Sequence, residues 1–582
     1  MRAFLKMFLA SFLALLAFML VCLFFVFVTI AALGSSDKPQ IARKSVLRID
    51  LGQHFSEQSR HNPLRRISGG EADAPGLYDV VRLIAKAAAD KDIAGIYLQA
   101  DGNGNGYAAS EELRAALAAF KGKGKFVLAH GNRMEQKAYY VASVADRVYV
   151  SPQGLLEWKG LAVELLFFKN ALDRLRIQPQ IFYAGKFKSA TEPFRSDRMT
   201  PENKLQTAEF LGDIDRELLQ RVAIARGIDT AELRRLSNEG SIQNAGDALR
   251  YKLVDGLRYD DQVRDELKQR AGLRKDDRLS FVELDTYAEA VSYKQSGSDR
   301  IALIYAEGTI VDGPGDRESI GDEDYIKWIR KARLDKSIKA IVFRINSGGG
   351  SALASENIWR ELQLAKQEKP LVVSFGDVAA SGGYYIASAA DSIFALPNTI
   401  TGSIGVFTLL PNLQGFFNEK LGITFDGVKT ATYADRNNPF RALTTAEQGF
   451  QQREVDRIYT LFKQRVADGR RKDTAYIGSI AQGRVWSGGK GLRIGLVDRI
   501  GTLDDAVRCA ARMAKTSSYR LREYPERSNW LDELLNRKKE EPMAQLRQQL
   551  GAEQFAVYEQ LIELNRLCRA PQARMPFQME IR

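Results

Sequence analysis

Ser337-Ile-Lys-Ala-Ile-Val-Phe-Arg344 and, 245 residues earlier (337 − 92), Asp92-Ile-Ala-Gly-Ile-Tyr-Leu-Gln99 are two versions of one segment. The same offset lays Ala109-Ser110-Glu111 on Ala354-Ser355-Glu356 and Tyr139-Tyr140 on Tyr384-Tyr385. It also lays Ala145-Asp146 on Ala390-Asp391, Pro152 on Pro397 and Gly160 on Gly405. One constant offset held over about 70 residues marks an internal duplication. Further on it drifts by a residue or two: Pro193-Phe194 meets Pro439-Phe440, and Leu253-Val254-Asp255 meets Leu496-Val497-Asp498.

Each copy has the same rhythm. The apolar run 340–345 ends in a glycine-rich turn, and an amphipathic pattern follows over 352–367. A second apolar run, 371–375, ends in another small-residue turn before a helical stretch from Gly382. Short apolar runs alternating with helices predict βαβ units and a largely parallel sheet in each repeat. The repeats are expected over 45–291 and 300–515, joined near 292–299, with a polar, helix-prone tail over 516–582.

Residues 1–34 read differently. No charge occurs over 8–33, about 26 residues where ~20 suffice to span a bilayer. Arg2 and Lys6 precede the run, which predicts an uncleaved signal anchor with its N-terminus in the cytoplasm. The repeats would then lie on the far side of the membrane. The formal net charge of +12 is dispersed among acids, so it reads as a solvated surface and not as a nucleic-acid footprint. The three cysteines show no zinc spacing, and none of the three histidines sits in a catalytic-looking context.

In parallel sheets, functional groups gather at the carboxyl ends of strands. Two such ends in the second repeat are glycine-rich: Asn346-Ser347-Gly348-Gly349-Gly350-Ser351 and Ala379-Ala380-Ser381-Gly382-Gly383. Ser381 stands where a strand hands over to a helix, and the N–H of Gly382 points outward at the helix start. A second N–H, from Gly349, completes an oxyanion hole. A serine nucleophile needs a base. With histidine unavailable, a lysine whose pKa is lowered by burial can serve. Composition does not say which lysine.

The string Val378-Ala-Ala-Ser381-Gly-Gly-Tyr-Tyr385, with Thr401-Gly-Ser-Ile-Gly-Val406 downstream, resembles signal peptide peptidase A of the long, duplicated type, also called protease IV. Gly185-Lys186-Phe187-Lys188-Ser189-Ala190-Thr191-Glu192-Pro193-Phe194 in the first repeat matches that family's lysine motif. The resemblance covers about residues 1–515. It implies Ser381 as nucleophile, Lys188 as general base, Gly349 and Gly382 as oxyanion donors, and Ser403 as a support for the lysine amine. Lys186 lies two residues away, on the same face of an extended segment, so only the motif position separates it from Lys188. The resemblance further implies tandem crotonase/ClpP-like domains and a homotetramer. It implies no metal or other cofactor, and a bacterial inner-membrane enzyme that degrades remnant signal peptides on the periplasmic side. The family usually carries proline in Asn-Ser-Pro-Gly-Gly; Gly348 stands there in this chain and loosens the loop, leaving open which glycine N–H faces the oxyanion.

The repeats also divide the site. Gln136 lies opposite Ser381, and Ala434 lies opposite Lys188. Neither repeat alone holds a serine–lysine pair. Two readings compete with the peptidase: acyl-CoA chemistry on the same superfold, and a non-catalytic membrane scaffold. Both leave Lys188 without a reason to meet Ser381.

Overall fold

The computed structural model describes residues 2–34, 38–59, 75–316, 318–526 and 571–575. In the Ile338–Ser347 strand Ala340, Ile341, Val342, Phe343 and Ile345 bury apolar side chains on both faces, as a central parallel strand must. The chain then turns through glycines into the Ala352–Glu368 helix, where Ser351 Oγ caps the N–H of Ala354 at 3.2 Å.

The duplication is explicit in the sheets. In the first half, Gly256–Leu257, Arg147–Leu156, Phe126–Met134, Ile93–Gln99, Ser45–Asp50 and Phe281–Glu283 lie side by side, all parallel. In the second, Arg499–Ile500, Ser392–Ala395, Leu371–Ala380, Ile338–Ser347, Asp299–Glu307 and Tyr519–Tyr524 repeat that order, again parallel. The fold is α/β with mostly parallel sheets. The tail expectation needs correction at its start: Tyr519–Tyr524 is a strand, not helix, because its backbone completes the edge beside Asp299–Glu307. The stretch 527–570, including Cys568, and 576–582 lie outside the described residues.

A third, mixed sheet joins the halves. Gln178–Ala184 of the first repeat runs antiparallel to Val406–Asn412 of the second, with Ala184 opposite Val406. The geometry of that ladder fixes what comes next. The chain leaves the first strand at Ala184 toward Lys188, at the same end where the second strand enters from Ser403. Two further ties cross the boundary. Asp377 Oδ1 accepts the N–H groups of Ala108 (2.9 Å) and Ala109 (3.0 Å) at the start of the Tyr107–Lys121 helix. Buried Arg344 pairs with Glu57 and Glu112, each at 2.8 Å.

Arg2–Gly34 is one helix of 33 residues, with side chains described at 4, 6–22 and 24. Among the described residues no helix is long and apolar enough to cross a membrane.

Candidate active site

Ser381 follows the Leu371–Ala380 strand and caps the Gly382–Ala387 helix. Its backbone is held at φ 53° and ψ −115°, a conformation that side chains avoid unless the surroundings impose it. The constraint is visible: the N–H of Ser381 donates to Gly402 O at 2.8 Å. The turn aims Oγ across the boundary between the halves, and Lys188 Nζ stands 2.9 Å from it. The amine also donates to Ser403 O at 3.2 Å and to Ser403 Oγ at 3.1 Å. Lys188, Ser381 and Ser403 are each 0% exposed. Burial pushes the Lys188 amine well below the ordinary lysine value, because a fully buried ammonium loses its hydration. Lys186, left open by spacing, is exposed and lies over the Phe187 ring instead.

The lysine is clamped by residues that sequence reasoning missed. Gln206, on the Pro201–Arg226 helix, donates to Phe187 O (3.1 Å) and Ser189 Oγ (2.9 Å), and accepts the N–H of Val485 at 3.2 Å. One first-repeat side chain thus fastens the lysine segment to the second repeat. Phe187 N–H donates to Gln482 O at 2.8 Å. Gly483, at φ 74°, passes so close that a Cβ there would stand 2.7 Å from Lys188 Cβ and N. No motif announces Gln206 or Gly483, since both act through tertiary contacts.

Gly349 and Gly382, the expected oxyanion donors, lie in neighbouring turns, with a Cβ built on Gly349 2.6 Å from Gly382 N. Gly382 opens its helix, so its N–H is one of the donors without an intrahelical acceptor. Gly349 has φ 97°, which turns its own N–H toward Ser347 Oγ at 3.1 Å. Residues 572–574 form a strand antiparallel to Gly349–Ser351, with Gly350 opposite Ala573. Met575 N–H donates to Gly348 O (2.7 Å) and Ala352 N–H donates to Pro571 O (3.2 Å). Hydrogen-bonded pairs recur every second residue in an antiparallel ladder, so Gly350 and Ala573 exchange both bonds. Ala573 O lies between the two glycine turns: a Cβ built on Gly349 would stand 2.1 Å from it, and one on Gly382 2.9 Å. In that ladder Gly350 stands opposite Ala573, beside the turn that carries Gly382.

The corresponding point of the first half is filled. Gln136 Oε1 accepts the N–H groups of Lys159 (2.9 Å) and Gly160 (3.0 Å), and its Nε2 donates to Gly160 O at 3.2 Å. Ala434 is an exposed turn residue. Only one of the two equivalent places brings a hydroxyl and an amine together. Among the described residues, no group of three or more His, Cys, Asp or Glu could hold a metal ion.

Comparison with known proteins agrees on the class. Peptidase family S49 matches twice, over residues 119–274 and 363–517. Protease 4 of Salmonella typhi is 34% identical over 541 residues, 89% of this chain and 87% of that protein. Protease 4 of Haemophilus influenzae is 36% identical over 456 residues, 75% of this chain and 72% of that one. The chloroplastic serine protease SPPA of Arabidopsis thaliana is 32% identical over 488 residues, 82% of this chain and 70% of that one. A solved structure of a ClpP1 point mutant from Listeria monocytogenes aligns with 35% of this chain and 94% of its own length at 16% identity; its TM-score of 0.24 is too low to bear on the fold. With its S49 domain in two copies, the chain belongs to peptidase family S49, in the long, duplicated signal peptide peptidase A type, and is a serine peptidase.

Proposed function

We propose that the chain is a membrane-anchored endopeptidase working through a Ser381/Lys188 dyad. The observation that carries this reading is the 2.9 Å approach of a fully buried lysine amine to a serine hydroxyl on a strained turn. Neutral Lys188 takes the proton of Ser381, and the alkoxide attacks a peptide carbonyl. The oxyanion accepts the N–H groups of Gly350 and Gly382, which are fixed before reaction. The lysine ammonium then protonates the leaving amine, and water hydrolyses the acyl-enzyme with the same lysine as base. Ser403 holds the amine in place by accepting from it at its carbonyl and hydroxyl oxygens. The proposed single-pass anchor in a bacterial inner membrane, with both repeats on the periplasmic side, rests on the uncharged sequence 8–33, part of whose side chains lie outside the described residues. That tether suits apolar peptides such as remnant signal peptides. The repeats take the crotonase/ClpP-like form, and the assembly is a homotetramer.

The test is covalent and kinetic. A serine-directed fluorophosphonate is expected to label Ser381 in the native chain and to leave both Ser381→Ala and Lys188→Met unlabelled. Labelling that persists in Ser381→Ala counts against the assignment.

The pH dependence has a definite sign. The base works as free amine, so kcat/KM rises as pH passes upward through the Lys188 ionisation and falls as acid protonates it. Burial moves that limb well below the ordinary lysine value. A kcat/KM profile that climbs only near the ordinary value, about 10.4, would contradict the buried-base reading.

Gly483→Ala tests the clamp. The added methyl must displace the Lys188 backbone, and a shift of about 1 Å at a reacting group costs about 10²-fold in rate. The expected result is that loss in kcat with thermal stability within a few degrees of the parent. Unchanged kcat would show that the lysine tolerates displacement.

A further inference from the structure

Residues 482–485 run as a strap along the boundary between the halves. Gln482 O accepts the N–H of Phe187, the neighbour of Lys188, at 2.8 Å. Gly483 N–H donates to Ile404 O at 2.8 Å, and Arg484 O accepts the N–H of Ser403 at 2.7 Å. Val485 stands opposite Gly402, whose carbonyl holds the N–H of Ser381. The strap therefore borders the base, the serine that supports it and the residue that fixes the nucleophile turn. It is also constrained. Gln482 is a non-glycine residue at φ 56°, a conformation that persists only where the surroundings impose it, and its N–H donates to Tyr459 Oη at 3.1 Å.

The side chain of Arg484 pins this strap to the first repeat. Its guanidinium reaches Glu209, on the Pro201–Arg226 helix, at 2.6 Å. Its Cζ stands 4.8 Å from the centre of the Phe187 ring and 4.4 Å from that of Trp486. A guanidinium that close to a ring is attracted to it. Burial raises the Glu209 carboxyl, but pairing with Arg484 and Lys490 holds it below the ordinary range, so the ion pair is formed at neutral pH. One residue thus touches both sides: its side chain meets the residue before Lys188, and its carbonyl holds Ser403.

We propose that Arg484 is a positioning residue of the dyad, which keeps Lys188 seated against Ser403 and Ser381 by tying the strap to the first repeat. The inference rests on the dyad reading for its effect on rate, but not for its effect on the burial of Lys188. Arg484 carries no proton in the reaction. Without its guanidinium, Phe187 and Glu209 lose their shared partner and the strap moves off Lys188. Water then reaches the amine and favours the ammonium, so the acid limb of kcat/KM moves to higher pH.

Arg484→Met keeps an unbranched stem and removes the charge; Arg484→Lys keeps a charge opposite Glu209. Arg484→Met is expected to lower kcat about tenfold or more, with KM within about twofold of the parent and the acid limb raised by about half a pH unit or more. Arg484→Lys is expected to fall between Arg484→Met and the parent. Rates are taken well below the melting midpoint on chains shown to be folded by circular dichroism. A merely structural role would lower that midpoint and leave kcat and the limb in place. A second arm involves no turnover. In a Ser381→Ala background, Lys188 is treated with a small amine-acetylating reagent and read by mass spectrometry, with exposed Lys327 as internal reference. Lys188 is expected to react at least fivefold faster in Arg484→Met than in Arg484→Lys. Equal reaction in the two chains overturns the proposal. So does an unchanged kcat in Arg484→Met where Lys188→Met is inactive. If Lys188→Met is active, the dyad reading falls instead, and faster acetylation still establishes the hold of Arg484 on Lys188.

Discussion

Lys188→Met is expected to lower kcat/KM for a peptide substrate by on the order of 10³-fold or more, with the fold intact. The argument is one of protonation and geometry. Methionine fills nearly the same buried volume, so the cavity cost stays small. What disappears is the amine that reaches Ser381 Oγ, and with it the proposed means of removing the hydroxyl proton. Ser381→Ala should lose a similar factor. The double variant should lose little more than either alone, because members of one catalytic unit are grossly non-additive. The oxyanion N–H groups remain in all three, so activity above the uncatalysed rate persists. The check is steady-state kinetics on purified chains, with circular dichroism to show that each is folded. Near-parental activity in Lys188→Met would remove the lysine from the mechanism.

The parts of this site were unequally legible in the sequence. Local rules place Ser381 at a strand–helix junction followed by two glycines, but such turns are common, and it was family resemblance that singled this serine out. The duplication was legible too, because a constant offset needs no structural knowledge, and the two sheets repeat one strand order. The lysine was a different matter. What brings Lys188 to Ser381 is the pairing of Ala184 with Val406, a contact between residues more than two hundred positions apart. No periodicity reports such a pairing, and only family resemblance chose between Lys186 and Lys188. Which glycine of the run supplies an oxyanion N–H stayed open for a local reason. Which N–H faces the opening depends on the positive φ of Gly349, and in a run of three glycines residue identity does not say which one turns. Tyr519–Tyr524 did leave a signal, since Tyr519, Leu521 and Glu523 alternate with arginines at 520 and 522. That period of two was overridden by the polar composition of the segment. Gln572–Arg574 left none: three residues are too few for a pattern, and the strand exists only because two edges wait on either side of it.

The second large effect concerns how the halves are held in register. Arg344→Met is expected to lower the thermal midpoint by about 10 °C, from a loss of about 3–5 kcal/mol for breaking a buried ion pair. Arg344 lies in the strand that leads to the oxyanion loop and is 1% exposed. Its guanidinium meets Glu57 and Glu112 of the first repeat at 2.8 Å each, and donates to Ser374 Oγ (2.9 Å) and Phe375 O (2.8 Å) of the second. Burial already holds the Glu112 carboxyl above the ordinary carboxylate range, against the opposing pull of Arg344. Removing the guanidinium raises it further and leaves two carboxylates facing each other without a cation. A carboxyl whose folded-state pKa lies above its unfolded value contributes stability below the unfolded pKa and loses it as pH rises through the folded one. The deficit of Arg344→Met relative to the parent should therefore be larger at pH 8 than at pH 5. Replacing Glu57 and Glu112 by glutamine in the same chain should restore much of the loss, because desolvated charge and not missing volume is its cause. A midpoint within 2 °C of the parent at pH 8 would show that the cluster does not hold the halves together. Because Ser381 and Lys188 come from different halves, any loosening of this junction large enough to be seen in melting should also appear as a fall in kcat before the chain unfolds.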